Sequence, residues 1–506
     1  PEVARTARLE LAAGVTFTLS NDVFADMYPG TGRASLALGP MGTFDAPGLL
    51  QALDRYPYGC TEQTTSRALP LLYLDQVASA MGLGDRDDLK NRIDQSITRV
   101  LARQSTSGGF GLWRPISGDF WLDAYVTDFL SRARAQGYTV PDAAFTAAVD
   151  NLSNRVNYAP DFGGEARGGE DIAYALMVLA REGKAAMGDL RYYADVKRTD
   201  FPTPLASAQL GMALAMYGDQ RRADAMFAQA GAQLATRMGD ETRQLWRSDY
   251  GTNLRDAAAV LALATEAGSN ALNTDALVTR VSAPGRVRST QEQVWTLLAA
   301  HALIDAAPTS GFTVNGAPVE GPLVPVLQDQ TDAAPLAIRN GSASEATLTL
   351  TTFGVPKIAE PKGGNGYAID REYFTIEGAP ADPSAVAVGT RLVTVLTVTP
   401  FAQSEARLMV NDPLPAGFEI DNPSLLRSGD LKGLNWLETV DARHSEFRQE
   451  RFLSAVDWRS DKPFKLAYMV RAISPGDYHH PAALVEDMYR PQYRAQTDTG
   501  RVTVTP

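Results

Sequence analysis

The sequence predicts a multidomain α + β protein: an α/α toroid of helices inserted in a small β-sandwich, followed by a second β-sandwich. Three observations predict it. Strand-like segments lie before residue 44 and resume after Pro308, and neither group is large enough to stand alone. Between them, Ala- and Leu-rich helical segments recur to about residue 306. From residue 363 to the end, short β segments are separated by Pro and Gly turns, the pattern of a sandwich.

Taken in order, Leu9, Leu11, Val15, Phe17 and Leu19 alternate as in strands. After the turn-rich Tyr28 to Gly32, Arg33 to Leu38 reads as another strand. Pro47 opens the first helix, where its missing N–H costs nothing. Later helical copies are Trp121 to Leu130, Asp171 to Ala180, Ala206 to Leu214, Asp256 to Leu263 and Gln293 to Leu303. Several end at a glycine: Gly137, Gly183, Gly218 and Gly268. Uneven spacing leaves room for a second helix between neighbours, so the unit is a helical hairpin. An open solenoid and a closed toroid both accommodate it; nearly all-apolar copies favour the toroid. After Pro308, Phe312 to Gly316, Leu336 to Gly341 and Ala346 to Thr351 read as short strands with Asn-Gly turns. A Pro/Gly-rich link, Pro356 to Gly366, leads to strands at Arg391 to Val398, Ala406 to Val410, Phe464 to Val470 and Arg501 to Val504.

Composition narrows the function classes. A chain of 506 residues implies two to four domains at about 100–200 residues each. A net charge of −12 argues against a nucleic-acid or anionic-membrane partner, because both need basic patches. A single cysteine excludes an intramolecular disulfide, which suits a reducing cytoplasm or a periplasmic protein without disulfides. The opening Pro1-Glu2-Val3-Ala4-Arg5 has neither Met nor an apolar signal segment, so the chain is expected to be a piece of something longer.

That one cysteine sits in Tyr56-Pro57-Tyr58-Gly59-Cys60-Thr61-Glu62-Gln63. Gln63 follows it by three residues, on the side to which a helical turn returns. If Cys60 sulfur attacks the Gln63 amide carbon and ammonia leaves, the pair becomes an internal thioester, an electrophile open to amines and hydroxyls. Such a bond needs an apolar lid, and Tyr56, Pro57 and Tyr58 crowd the same turn; Gly59 suggests close backbone approach. The alternatives are a plain buried cysteine or a Cys/His nucleophile. The histidines are His301, His444, His479 and His480, all far along the chain, which disfavours the second. No metal-ligand spacing appears, and adjacent His479 and His480 would point opposite ways in a strand. A toroid can also carry paired carboxylates for glycoside hydrolysis, and Asp119, Asp123, Glu165, Glu170 and Asp171 are available. Glu170-Asp171 is more simply a helix start.

Gly59-Cys60-Thr61-Glu62-Gln63 resembles the thioester motif of the α2-macroglobulin and complement family, and Tyr56 to Leu74 resembles its bacterial members most. The resemblance implies a thioester domain at residues 45–307 and a CUB-like domain split between 1–44 and 308–362. It implies a C-terminal macroglobulin (receptor-binding-like) domain at 363–506. It further implies a broad-spectrum protease inhibitor rather than an enzyme, with Cys60 as thiol, Gln63 as acyl donor, and Gly59 and Glu62 as supporting motif positions. Tyr56, Tyr58, Met488 and Tyr489 are the implied shield. The implied partners are target proteases, captured through lysine, and the rest of the parent chain; no cofactor and a monomer are expected. The implied location is the periplasm, with lipoprotein anchoring of the full-length parent as a variant. The segment Asn157 to Glu170 lacks the histidine that some complement members use to favour hydroxyl targets, so direct attack by amines is expected. Against this stand a carbohydrate-active toroid hydrolase and a non-covalent scaffold without a working thioester.

Overall fold

A computed structural model describes residues 2–56, 58–80, 83–162, 168–236, 247–283, 287–303, 311–319, 326–330, 334–403, 405–421 and 437–506. Pro57, Glu165 and the step from residue 307 to 308 lie outside the described residues.

Among the described residues, six helices form an inner ring. Thr61–Ala68 packs on Phe120–Ala135, and the order continues through Gly169–Arg181, Pro204–Met216, Asn253–Glu266 and Thr290–Ala302. The last returns to the first, so the ring closes. Six more helices alternate with these in sequence: Ala46–Asp54, Arg86–Leu101, Asp142–Asn157, Met187–Asp195, Gln220–Thr236 and Thr274–Ser282. Each inner helix is buried on nearly every side; in Phe120–Ala135 every residue from Trp121 to Ala133 is. An outer helix buries one stripe, as Leu89, Ile93, Ile97 and Val100 do at helical spacing. The glycines after four helices, Gly137, Gly183, Gly218 and Gly268, all take positive φ (63° to 86°), the left-handed cap that a side chain resists. Apolarity did not mark the inner helix Thr61–Ala68. Its sequence is polar, yet Thr61 to Ser66 and Ala68 are all buried.

The flanking β segments form one sandwich across the insertion. Strand Ala346–Gly354 lies between Val3–Leu11 and Arg33–Leu38, antiparallel to both. In the facing sheet Thr16–Leu19 pairs with Leu336–Asn340. Leu11, Leu19, Phe24, Leu36, Ile338 and Leu348 fill the space between. The two Asn-Gly pairs differ. Asn315-Gly316 takes φ of 49° and 82° and closes a two-residue hairpin between Phe312–Val314 and Ala317–Pro318. Asn340-Gly341 is no such turn, because the strands on either side belong to different sheets. Asn340 is instead a buried strap: its Nδ2 donates to Leu11 O and Ser344 O, both at 2.8 Å, and its Oδ1 accepts from Ser342 N at 3.0 Å.

The C-terminal region is a second sandwich. Strands Tyr367–Thr375, Arg391–Pro400, Phe464–Ala472 and Phe418–Ile420 face a sheet built on His444–Phe447, Arg451–Trp458, Ala406–Pro413, Leu484–Asp487, Arg494–Gln496 and Gly363–Asn365. The last of these lies in the segment expected to be a link; it pairs with Arg494–Gln496. Met409, Leu453, Ala455, Met488 and Tyr489 of this sandwich join the apolar core of the helical ring, so the two regions share one buried interface.

Asn340→Ala removes the donors to the buried Leu11 carbonyl and the part-buried Ser344 carbonyl, which tie both chain segments of the first sandwich. A loss of about 1–3 kcal/mol is expected in the opening free energy of strands Val3–Leu11 and Leu336–Asn340, read by amide hydrogen exchange. Protection in those strands equal to wild type would refute the strap.

Candidate functional site

Cys60 is the N-cap of helix Thr61–Ala68, with extended backbone (φ −64°, ψ 170°). A helix start leaves its first N–H groups without partners, and a Ser/Thr-x-x-Glu/Gln box normally answers two of them reciprocally. Cys-x-x-Gln does so with a thiol. Gln63 N donates to Cys60 Sγ at 3.5 Å, and Cys60 N donates to Gln63 Oε1 at 3.2 Å. The second bond folds the amide back over the cysteine and polarises its carbonyl. Thiol and amide thus sit together in a pocket where both residues are 0% exposed.

The turn before the helix is held from outside the motif. Arg103 donates to Gly59 O at 2.8 Å, and Thr61 donates through N to Leu112 O at 2.8 Å and through Oγ1 to Gly111 O at 2.6 Å. The expected close approach at Gly59 is not found: its φ is not positive, and an added Cβ would meet open space. The steric demand falls on Gly111, where a Cβ would lie 1.8 Å from Arg114 O.

Glu62 points the other way, into the ring. It accepts from Ser66 Oγ at 2.6 Å, Gln291 Nε2 at 2.7 Å and Thr290 Oγ1 at 3.0 Å, while Ser66 also meets the Tyr125 hydroxyl at 2.8 Å. Burial raises its carboxyl above the usual range, and the hydrogen bonds from Gln291, Ser66 and Thr290 offset only part of that rise. Ser289 and Glu292 form their own capping box at the start of the helix that carries Thr290 and Gln291. The sequence shows that box but not the partner across the ring.

The C-terminal sandwich covers the pocket. Gln63 Nε2 donates to Met488 Sδ at 3.4 Å, and Met488 is 2% exposed. Tyr489 packs edge-on against Tyr250 at 4.8 Å, its hydroxyl beside Cys60 and Glu62. Arg407 lies over the Tyr250 ring at 4.5 Å and 3.8 Å from Asp119, to which the Tyr250 hydroxyl also donates. Tyr56 and Tyr58 meet edge-to-face at 5.0 Å, and Tyr56 donates to Glu486 at 3.2 Å. Burial raises Glu486 to about 7. Trp113 stacks on His444 at 4.5 Å beside them. Arg407, Tyr250, Glu486 and Trp113 carry no local signal that announces this role.

The electrostatics oppose thiolate chemistry. Burial first, then the Glu62 charge, pushes the Cys60 thiol up to about 12, so it stays protonated at neutral pH. His301 is ten residues beyond Gln291 on one helix, about 15 Å along the axis, and stacks on Tyr73. His480 bonds Tyr373 in the second sandwich. Among the described carboxylates weighed for glycoside hydrolysis, Asp123 is taken by Phe110 N, Asn151 and Arg155 at 2.6–3.0 Å. Asp171 is raised to about 8 by burial and by Glu170, Asp119 and Asp249. Each of those three already serves another group: Ser248, the Leu122 N–H with Arg407, and Arg247 with Arg255. Among the described residues no cluster of His, Cys, Asp and Glu could hold a metal ion.

Comparison with known proteins agrees with this layout. Residues 34–158 match the model of the A-macroglobulin TED domain, and residues 366–492 that of the bacterial alpha-2-macroglobulin MG10 domain. The chain is 32% identical to the alpha-2-macroglobulin of Escherichia coli over 518 aligned positions, covering 96% of this chain and 30% of that protein. It therefore spans under a third of the length of that relative. The crystal structure of native E. coli alpha-2-macroglobulin from domain MG7 to the C-terminus superposes with a TM-score of 0.84 at 29% identity, covering 100% of this chain and 82% of that one. Salmonella alpha-2-macroglobulin reacted with methylamine gives 0.84 at 32% identity, covering 100% and 34%. A buried Cys-x-x-Gln box on a closed helical ring, matched in both its helical and its C-terminal domains, leaves one conclusion: the chain belongs to the bacterial alpha-2-macroglobulin family.

Proposed function

We propose that the chain is the reactive portion of a broad-spectrum protease inhibitor, which stores the Gln63 acyl group as a thioester on Cys60 and passes it to a lysine amine of the attacking protease. The observation that carries this reading is the reciprocal capping box in a dry pocket. The Cys60 N–H bond to Gln63 Oε1 sets the amide carbon before the sulfur and stabilises the oxyanion that forms when either sulfur or an amine attacks. Met488 and Tyr489, with Tyr56 and Tyr58, exclude water from the bond. Capture consumes the acyl group, so the protein acts once and is no enzyme. The remainder of a longer parent chain, residence in the periplasm, a lipid anchor on that parent and action as a monomer belong to the same reading. The split sandwich at 1–44 and 308–362 is its CUB-like domain.

Intact mass and thiol titration test the bond. Freshly folded protein should lack one ammonia and show no free thiol; methylamine should release one thiol and leave one methylamide at Gln63. A free thiol with an intact amide throughout would sink the covalent reading in favour of a scaffold. With no histidine between Asn157 and Glu170 to relay the acyl group, glycerol should label the protein far more slowly than methylamine at equal concentration. Equal labelling would refute direct amine attack.

The lid should also answer to pH. Docked, Glu486 titrates near 7 instead of its ordinary 4.5, facing Tyr56, Tyr58, Arg494 and Asp487. Between about pH 4.5 and 7 the docked form holds a proton that the exposed form lacks, so docking weakens as pH rises through that window and levels off above it. The melting temperature of wild type relative to Glu486→Gln should therefore fall from pH 5 to 7.5. Parallel curves would count against the contact.

A further inference from the structure

Tyr489 has a hydroxyl that the lid function does not use. The residue is 2% exposed, and among the described residues its hydroxyl makes no hydrogen bond of ordinary geometry. Unmet buried polar groups are rare in native structures, and each calls for an account. The position of this one is fixed. Its backbone N–H donates to Asp487 Oδ1 at 3.1 Å, and its ring is pinned edge-on to Tyr250. The hydroxyl lies beside two groups two residues apart in the chain, the Cys60 thiol and the Glu62 carboxyl.

Forming the thioester is a proton problem at both ends. The buried thiol keeps its proton, and an amide nitrogen leaves only once it has gained one. Glu62 faces only donors, from Ser66, Thr290 and Gln291, as an acceptor carboxylate does. We propose that Tyr489, backed by Glu62, carries the proton from Cys60 Sγ to the departing Gln63 Nε2, so that the C-terminal sandwich helps to make the bond it covers. As the Sγ–Cδ bond forms, the Sγ proton passes to the Tyr489 oxygen while the Tyr489 proton passes to Glu62. As the Cδ–Nε2 bond breaks, the same route runs in reverse toward the nitrogen. Ammonia leaves, and Tyr489 and Glu62 end as they began. The Cys60 N–H on Oε1 holds the oxyanion between these steps. This inference rests on the thioester reading above and adds the group that makes the bond form.

The test is the time course of ammonia loss in newly synthesised full chain, with the group at position 63 identified by peptide mass. Tyr489→Phe keeps the ring on Tyr250 and should slow bond formation at least tenfold, leaving a free Cys60 thiol beside an intact Gln63 amide. If Tyr489 only shields, the bond forms and is then hydrolysed, giving a free thiol beside a carboxyl at position 63; that outcome overturns the proposal. So does formation at the wild-type rate. Replacing Tyr489 with 3-fluorotyrosine, which changes the acidity of the hydroxyl but not the packing, should shift the rate; an unchanged rate overturns the relay even if the Phe variant misfolds. A wild-type chain that never loses ammonia overturns the thioester reading itself, and the relay with it.

Discussion

The Glu62 carboxylate joins the first inner helix of the ring to the last, and much of the site depends on that joint. Most of the inner-helix surface is apolar, as in Phe120–Ala135 and Pro204–Met216. Thr61–Ala68 brings a buried polar surface instead, which is costly unless each group finds a partner. Thr290 and Gln291 at one end of the ring, and Tyr125 through Ser66, supply those partners. The closure is therefore geometrically specific, where apolar packing would tolerate slippage. That specificity fixes the start of the helix, and the start of the helix holds Cys60 and Gln63.

Specific placement also explains why the pocket needs a second domain. The ring presents the thiol and amide at its mouth, and the cover comes from residues more than 400 positions away: Met488 on the amide and Tyr489 beside the sulfur. The interface is apolar at its centre, with polar contacts around it: Arg407 on Tyr250 and Asp119, Tyr56 on Glu486, and Trp113 on His444. Such a join either holds or opens, which suits the uncovering that the proposed function calls for.

Much of this was legible in the sequence, for physical reasons. Inner helices are buried all round, so Trp121 to Leu130 or Asp256 to Leu263 announce themselves by apolarity, and the capping glycines mark their ends. The Cys-x-x-Gln box was legible because its chemistry is local, one helical turn. The helix that carries it escaped the apolar pattern for the same reason that it matters, its buried surface being polar. Gly59 misled: a glycine beside a reactive residue suggests close approach, yet the close approach is at Gly111. Asn340-Gly341 misled likewise, since the dipeptide has turn chemistry whether or not its neighbours pair. Contacts across hundreds of residues, such as Glu62 with Thr290 or Tyr56 with Glu486, leave no periodicity to read.

Burial accounts for both halves of the proposed mechanism. A thioester transfers its acyl group by expelling the sulfur as a thiolate, and a poor leaving group protects the bond. With the cover in place, burial and then the Glu62 charge hold the Cys60 thiol up at about 12, and Arg103 offsets them only in part. Once the cover is lifted and water returns, the thiol loses the part of its rise that burial causes and moves back toward its ordinary value of 9.0. Leaving-group ability then improves by up to on the order of a thousandfold, the limit in which the full change in acidity is felt in the transition state. Exposure does more than let an amine in. It converts the sulfur from a reluctant leaving group to a willing one, so access and reactivity rise together. The same dry pocket that makes Cys60 useless as a hydrolase nucleophile would thus keep the proposed thioester inert until it is uncovered, with access itself as the switch.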